Sequence, residues 1–321
     1  MAARTDPDHK NRAAAWRLTL DTHGAEHGAH LRLGEDHGAL LTEDGETLLV
    51  TFESAATIRD QAQGALPFGL EVAGREGFSQ LCLYSETDGT FRAPEVYAYF
   101  DRLVDEGFFD EFDEVVFFGV GLSGYAAATY SVAAPGARVI AIAPVATLAP
   151  DRAGWDKRFP ELRRHDFTSR YGYAPSMCEA AEQVFILFDP QVREDAMHAS
   201  LFHDSNITPL RCPGFGAHLA HELHEMGVLA SMIRHAAHGR LTSARFFELL
   251  RKRREHGPYL RRLVVRLDRA AEPWRMGLVA RHALTHFDWP RLRKALADAE
   301  AALSAEGRSL PAPRRAQAAA E

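Results

Sequence analysis

Three stretches of this 321-residue sequence end an apolar run on a group that can do chemistry. In V-V-F-F-G-V-G-L-S-G-Y-A-A (115–127), a strand-like run meets a glycine-rich turn holding Ser123, and a small-residue helix follows. V-F-I-L-F-D (184–189) ends on Asp189, with Asp195 and His198 shortly after. P-G-F-G-A-H (213–218) delivers His218. Serine, acid and histidine in this order are the parts of an acyl-transfer site. A serine hydroxyl is a weak nucleophile until an imidazole takes its proton. A buried carboxylate fixes the imidazole tautomer. Two backbone N–H groups must meet the oxyanion. One comes from the residue after the nucleophile, Leu122 or Gly124 depending on register. The second falls in the turn after L-L-V-T-F, near Phe52 and Glu53. Glu53 is awkward there, because a carboxylate opposes a neighbouring oxyanion.

Two registers fit the serine turn. With Ser123 as nucleophile, Gly121 stands two residues before it as required, but Tyr125 stands where a second glycine normally allows close helix packing. In the ungapped register Gly119 takes the first glycine position and the nucleophile position falls on Gly121. Ser123 then occupies the second small position, where capping the helix N-terminus is its expected role. The first register keeps an active serine. The second keeps an acid and a histidine and has lost the nucleophile. Arg92, in F-R-A-P-E-V, and Tyr125 are candidates for holding an anionic substrate group.

Other chemistries fit less well. G-V-G-L-S-G (119–124) matches G-x-G-x-x-G, but the next strand end, A-I-A-P-V-A (141–146), offers no ribose-binding acid. No cofactor is expected. His218 with Glu222, and His221 with Glu225, lie four apart and share helix faces. Their motif is H-E-x-H and not the zinc-binding H-E-x-x-H, so no metal is expected. Four histidines among glycines at 21–40 read as an exposed hairpin or loop rim. The three cysteines, Cys82, Cys178 and Cys212, form no C-x-x-C pair, which points to a reducing compartment. Cys212 reads as a buried residue. His198 reads as an outward helix residue.

The elements that must position these groups are legible as alternating strands and helices. Strands are expected in 43–54, 78–86, 113–119, 137–144, 182–190 and 207–213. Helices are expected over 93–107, with Gly107 as its stop, from Ser123 onward, and over 217–235. Continuous apolar strands of this kind build a parallel sheet covered on both faces, with ligands beyond the carboxyl ends of the strands. The expected organisation is a flexible N-terminus (1–20), an α/β domain (21–238), a helical C-terminal extension (239–306) and a disordered tail (307–321). The segment 151–176 reads as a lid.

The net charge of −7 gives no general reason to expect nucleic acid. The run Arg251-Lys252-Arg253-Arg254 in the helical extension reads first as a solvated helix face, with an acidic protein partner or, less readily, nucleic acid as the functional alternatives. Without a signal-peptide or membrane-spanning apolar run, the reading is cytoplasmic with no membrane.

From about 46 to 235 the chain resembles a bacterial α/β-hydrolase-like family. Its elbow reads G-x-S-M-G-G-Y-A-A, followed by a D-P…D…H stretch and a final G-x-H. The matching segments here are F-F-G-V-G-L-S-G-Y-A-A, F-D-P-Q-V-R-E-D-A-M-H-A-S-L and G-F-G-A-H-L-A-H-E-L. The resemblance implies a mainly parallel sheet with helices on both faces and a serine-type ester or thioester hydrolase. It places Ser123 as nucleophile, His218 as base, and Asp189 or Asp195 as the orienting acid. The ligand implied is a small ester-like or anionic molecule. If Gly121 holds the nucleophile position, the same fold implies a binding or scaffold protein instead.

Overall fold

The computed structural model describes residues 7–61, 65–87 and 89–312. The chain divides into two compact units, residues 1–247 and 248–321. The first contains eight strands: β1 (Gly28–Leu33), β2 (His37–Thr42), β3 (Thr47–Ser54), β4 (Ser79–Ser85), β5 (Glu114–Val120), β6 (Arg138–Ile142), β7 (Gln183–Phe188) and β8 (Ile207–Arg211). Its helices are α1 (Pro7–His27), α2 (Ala55–Gln61), α3 (Phe68–Glu76), α4 (Pro94–Asp105), α5 (Leu122–Tyr130), α6 (Pro150–Ala153), α7 (Ala174–Met177), α8 (Arg193–Ala199), α9 (Leu219–Glu225) and α10 (Val228–Ala237). Helix α11 (Ser243–Leu249) spans the boundary, and α12 (Gly257–Arg269), α13 (Pro273–Ala283) and α14 (Pro290–Ala305) belong to the second unit.

The strands form one sheet in the order β1-β2-β4-β3-β5-β6-β7-β8. Only β2 runs against the rest. The fold is therefore α/β with a mainly parallel sheet and helices, as expected. Alternation along each strand sends side chains to two cores. Leu48, Val50, Phe52, Leu81, Leu83 and Phe117 pack with α4 and α5 on one face. Leu40, Cys82 and Tyr84 pack with Trp16 and Leu20 of α1 and Ile58 of α2 on the other. Each such fully buried aliphatic or aromatic side chain stabilises the fold by about 1.5–3 kcal/mol.

Two expectations change. Residues 7–27 form a helix, although 1–20 reads as flexible. Its apolar contacts come down to Ala13, Trp16 and Leu20, spaced three and four apart, and Trp16 Nε1 donates to Ala65 O at 2.7 Å. So few apolar residues in a polar segment give almost no periodic signal. The expected helix over 217–235 is broken into α9 and α10 by Gly227, which adopts φ 62°. The sequence 21–40 supplies the end of α1 and the hairpin β1–β2. Of the expected tail, residues 313–321 lie outside the described residues. No helix among the described residues is long and apolar enough to cross a membrane.

In the second unit Leu267, Met276 and Ala299 form a small core between α12, α13 and α14, with Leu263, Val264, Val279 and Ala295 against it. Pro258, Pro273 and Pro290 each sit in a first helical turn, where a missing N–H costs nothing.

Candidate functional site

The turn between β5 and α5 lies at the carboxyl edge of the sheet, between β3 and β6. Gly121 is its pivot, with φ 61° and ψ −119°. That conformation is costly for a residue with a Cβ and free for glycine. Backbone bonds hold the turn on both sides. Gly121 N–H donates to Ile142 O at 2.8 Å, and Gly121 O accepts from Tyr125 N at 3.1 Å and Val145 N at 3.3 Å. A Cβ placed on Gly121 would meet nothing within 4 Å. A Cβ on Gly119 would lie 2.1 Å from Ser123 O, so this position admits only glycine. Gly124 is tight as well, its virtual Cβ 3.2 Å from Gly119 O and 3.3 Å from Pro144. The corner of the turn, where a side chain would be strained, is thus Gly121.

Ser123 is the second residue of α5, in its first turn, and is partly buried. The capping position expected of Ser123 falls instead on Gly121, which has no side chain to cap with. Leu122 begins the helix and packs against the core.

Asp189 is buried at the end of β7. Its Oδ1 accepts from Gln191 N at 2.9 Å, and its Oδ2 accepts from Gly214 N at 2.9 Å and Gly216 N at 2.7 Å. Backbone amides therefore fill about three of its roughly four acceptor sites. The carboxylate ties the loop after β8 to the end of β7. His218 closes a short 3-10 helix, Gly216–His218, with its side chain exposed. Among the described residues, no hydrogen bond joins Ser123 or the His218 imidazole to Asp189 or Asp195. Asp195, on α8, accepts instead from Arg158 Nη1 at 2.6 Å. His221 and Glu225 form the exposed i,i+4 pair at 3.4 Å.

The side chains of Phe52 and Glu53 are both engaged. The Phe52 ring stacks in the core, 5.0 Å from Phe91 and 5.6 Å from Tyr130. Glu53 accepts from Phe68 N at 2.9 Å, Gly69 N at 3.0 Å and Thr51 Oγ1 at 2.8 Å. It satisfies the open N–H groups at the start of α3, where a carboxylate is favourable. Burial raises its pKa, and these hydrogen bonds oppose the rise.

Arg92 and Tyr125 bind each other, as Arg92 Nη1 donates to Tyr125 Oη at 2.7 Å. The Tyr125 hydroxyl donates to Tyr171 O, and Arg92 Nη2 donates to Arg170 O at 3.0 Å. The guanidinium also lies 4.9 Å from the Phe167 ring centre. Burial pushes the Tyr125 phenol up to about 12. The pair fastens the segment 167–171 to α5.

One buried polar group escapes the sequence reading. His198 is fully buried, not outward. Its Nδ1 accepts from Ala146 N at 3.2 Å, so the ring proton sits on Nε2 and is donated to Asp156 Oδ2 at 3.0 Å. Arg158 joins Asp156 to Asp195, and the Trp155 ring lies 4.5 Å from the imidazole. Burial lowers the His198 pKa, while Asp156 opposes that shift. Burial would raise the Asp156 pKa, but hydrogen bonds from Arg158 and His198 hold it below the usual value. The cluster pins the 155–158 segment and the strand β6 exit to α8. The available signal was the pairing of W-D-K-R (155–158) with E-D-A-M-H (194–198), but partners about forty residues apart show no spacing pattern.

No family model matches the chain, and no curated protein matches it. Several solved structures are similar to it. The capsule O-acetyltransferase of Neisseria meningitidis serogroup A aligns at 13% identity over 63% of this chain and 93% of that one, with a TM-score of 0.43. The hyperthermophilic esterase from the archaeon Pyrobaculum calidifontis aligns at 11% over 73% and 93%, with a TM-score of 0.41. EstE1, a thermostable carboxylesterase cloned from a metagenomic library, aligns at 12% over 74% and 99%, with a TM-score of 0.40. Likeness at this level says nothing about a substrate.

Proposed function

We propose that this chain is a catalytically degenerate α/β-hydrolase-fold protein that binds a ligand or partner without hydrolysing it. The observation that carries the reading is Gly121 at the strained corner of the elbow, with no side chain to attack a carbonyl. Two further features support it. Asp189 spends its acceptors on backbone amides, and the His218 side chain is exposed. The ligand expected beside the first turn of α5 is a small ester-like or anionic molecule, since that turn presents unpaired N–H groups.

The serine ester or thioester hydrolase reading assigns attack to Ser123, proton transfer to His218 and orientation to Asp189 or Asp195. It requires a hydrogen-bonded chain of these groups. Fluorophosphonate labelling with peptide mapping separates the two. No labelling of folded protein is expected, and short-chain esters should turn over at the background rate. Labelling of Ser123 that disappears in His218→Ala would overturn the proposal and establish the hydrolase.

A further inference from the structure

Charge is divided unequally between the two units. Residues 1–247 carry 21 Lys and Arg against 35 Asp and Glu, a formal −14. Residues 248–321 carry 16 against 9, a formal +7. The whole-chain value of −7, which gave no reason to expect nucleic acid, conceals this. At physiological salt screening acts over about 8 Å, so cations clustered at one corner of the second unit act together on a ligand there.

Surface ion pairs neutralise some of those cations: Arg275 with Glu272, Arg293 with Asp288, Lys294 with Asp298 and Arg308 with Glu306. Another group is concentrated at one corner. The 3-10 helix Leu250–Arg254 carries Arg251, Lys252, Arg253 and Arg254 in succession, and Arg251, Lys252 and Arg254 are exposed. The acids beside this run are Glu248 before it and Glu255 after it.

Contacts gather α12 and the α13–α14 connection around the run. The His282 ring N–H donates to Arg254 O at 2.9 Å. The Arg253 guanidinium lies 5.5 Å from the Tyr259 ring centre. That of Arg261 lies 4.1 Å from the Trp289 ring, which stacks on Phe287 at 4.3 Å. Gly257 makes room for this stack, since a Cβ there would come within 3.0 Å of Trp289. A guanidinium held by its face keeps its N–H edge for bidentate bonds to phosphate.

We propose that this corner binds the phosphate backbone of a nucleic-acid strand. Such binding draws its affinity from cations and released counterions and needs no apolar anchor. A protein interface needs a buried apolar or aromatic centre, and a membrane-surface helix needs an exposed apolar face. Among the described residues of this unit, Val265 is the one exposed large hydrophobic side chain. The binding reads charge and spacing, so it tolerates any base sequence.

The test is fluorescence anisotropy of the full chain with a labelled single-stranded RNA and a DNA duplex of mixed sequence, across a salt series. Binding is expected to weaken on the order of 100-fold from about 50 to about 200 mM salt if four cations engage phosphates. The triple variant Arg251→Glu, Arg253→Glu, Arg254→Glu should lose binding. The triple Arg275→Glu, Arg293→Glu, Arg308→Glu changes net charge equally at the ion-paired sites and should keep it. Arg251→Lys, Arg253→Lys, Arg254→Lys should retain most of it, which controls for folding. The proposal is overturned if neither nucleic acid binds at low salt, or if both Glu triples lose binding equally. Polyglutamate or anionic vesicles binding as tightly as RNA would also overturn it.

Discussion

At the residue scale the elbow turns on one position. Gly121 adopts a conformation that a side chain makes costly, yet a side chain there would meet no obstacle. Gly121→Ser is therefore expected to fold, with about 1–3 kcal/mol lost to backbone strain. It should remain unlabelled by a fluorophosphonate, because a hydroxyl without a bonded imidazole stays a weak nucleophile. Urea unfolding and probe labelling on the same sample check both parts. Ser123→Ala, in contrast, removes no cap hydrogen bond and should change stability by less than about 0.5 kcal/mol. Asp189 behaves differently from either. Asp189→Asn weakens charge-assisted bonds to three backbone amides and should cost about 2–3 kcal/mol by the same urea measurement.

At the element scale, close packing and buried carboxylates decide how helices meet the sheet. Gly119 lets the first turn of α5 lie on β5, and the Cβ of Gly119→Ala would run into backbone at 2.1 Å. The expected cost is about 3 kcal/mol, at the upper end for overpacking, because backbone yields less than side chains. Thermal unfolding of Gly119→Ala beside Gly121→Ala would show the larger drop at 119. The Arg92–Tyr125 pair sets the other element-scale expectation. Arg92→Ala releases Arg170 O and the Phe167 face, so limited proteolysis should cut the 166–171 segment faster than in the parent, while the sheet core stays protected. The 151–176 segment reads as a lid in sequence. Its fastening at Arg92 and at the Asp156–His198 cluster describes a strap held at two points.

At the scale of the whole molecule, the buried Asp156–His198 cluster couples folding to pH. His198 is neutral in the fold, with its pKa below the ordinary 6.5, so the unfolded chain takes up a proton more readily. Asp156 is likewise held below its ordinary 3.8. Both groups leave the unfolded state binding more protons, so stability falls on acidification. The His198 contribution is lost as pH drops below 6.5 toward its folded value, and the Asp156 contribution is lost at still lower pH. Unfolding free energy measured from neutral to acid pH should decline across the first window. His198→Gln should flatten that slope while lowering stability at neutral pH, and an unchanged slope would count against the cluster as its source.

The sequence by itself determined six of the eight strands and the fold class. Apolar runs over 47–54, 79–85, 114–120 and 183–188 bury both faces, and that pattern is local. It also narrowed the elbow to two registers and identified Gly121 as the residue on which they differ. It did not find helix α1, whose buried apolar side chains among the described ones are Ala13, Trp16 and Leu20. Nor did it find that Glu53 serves α3, that Arg92 serves the 167–171 segment, or that His198 is buried. A carboxylate, guanidinium or imidazole carries the same chemistry in sequence whether its partner is a ligand or a distant backbone amide. Only the tertiary structure decided that partner, because the amides of Gly214 and Gly216 reach Asp189 across 25 and 27 residues of chain. The tertiary structure likewise put the positive φ of the turn on Gly121, since backbone dihedrals follow from how β5 and α5 pack and not from residue type alone.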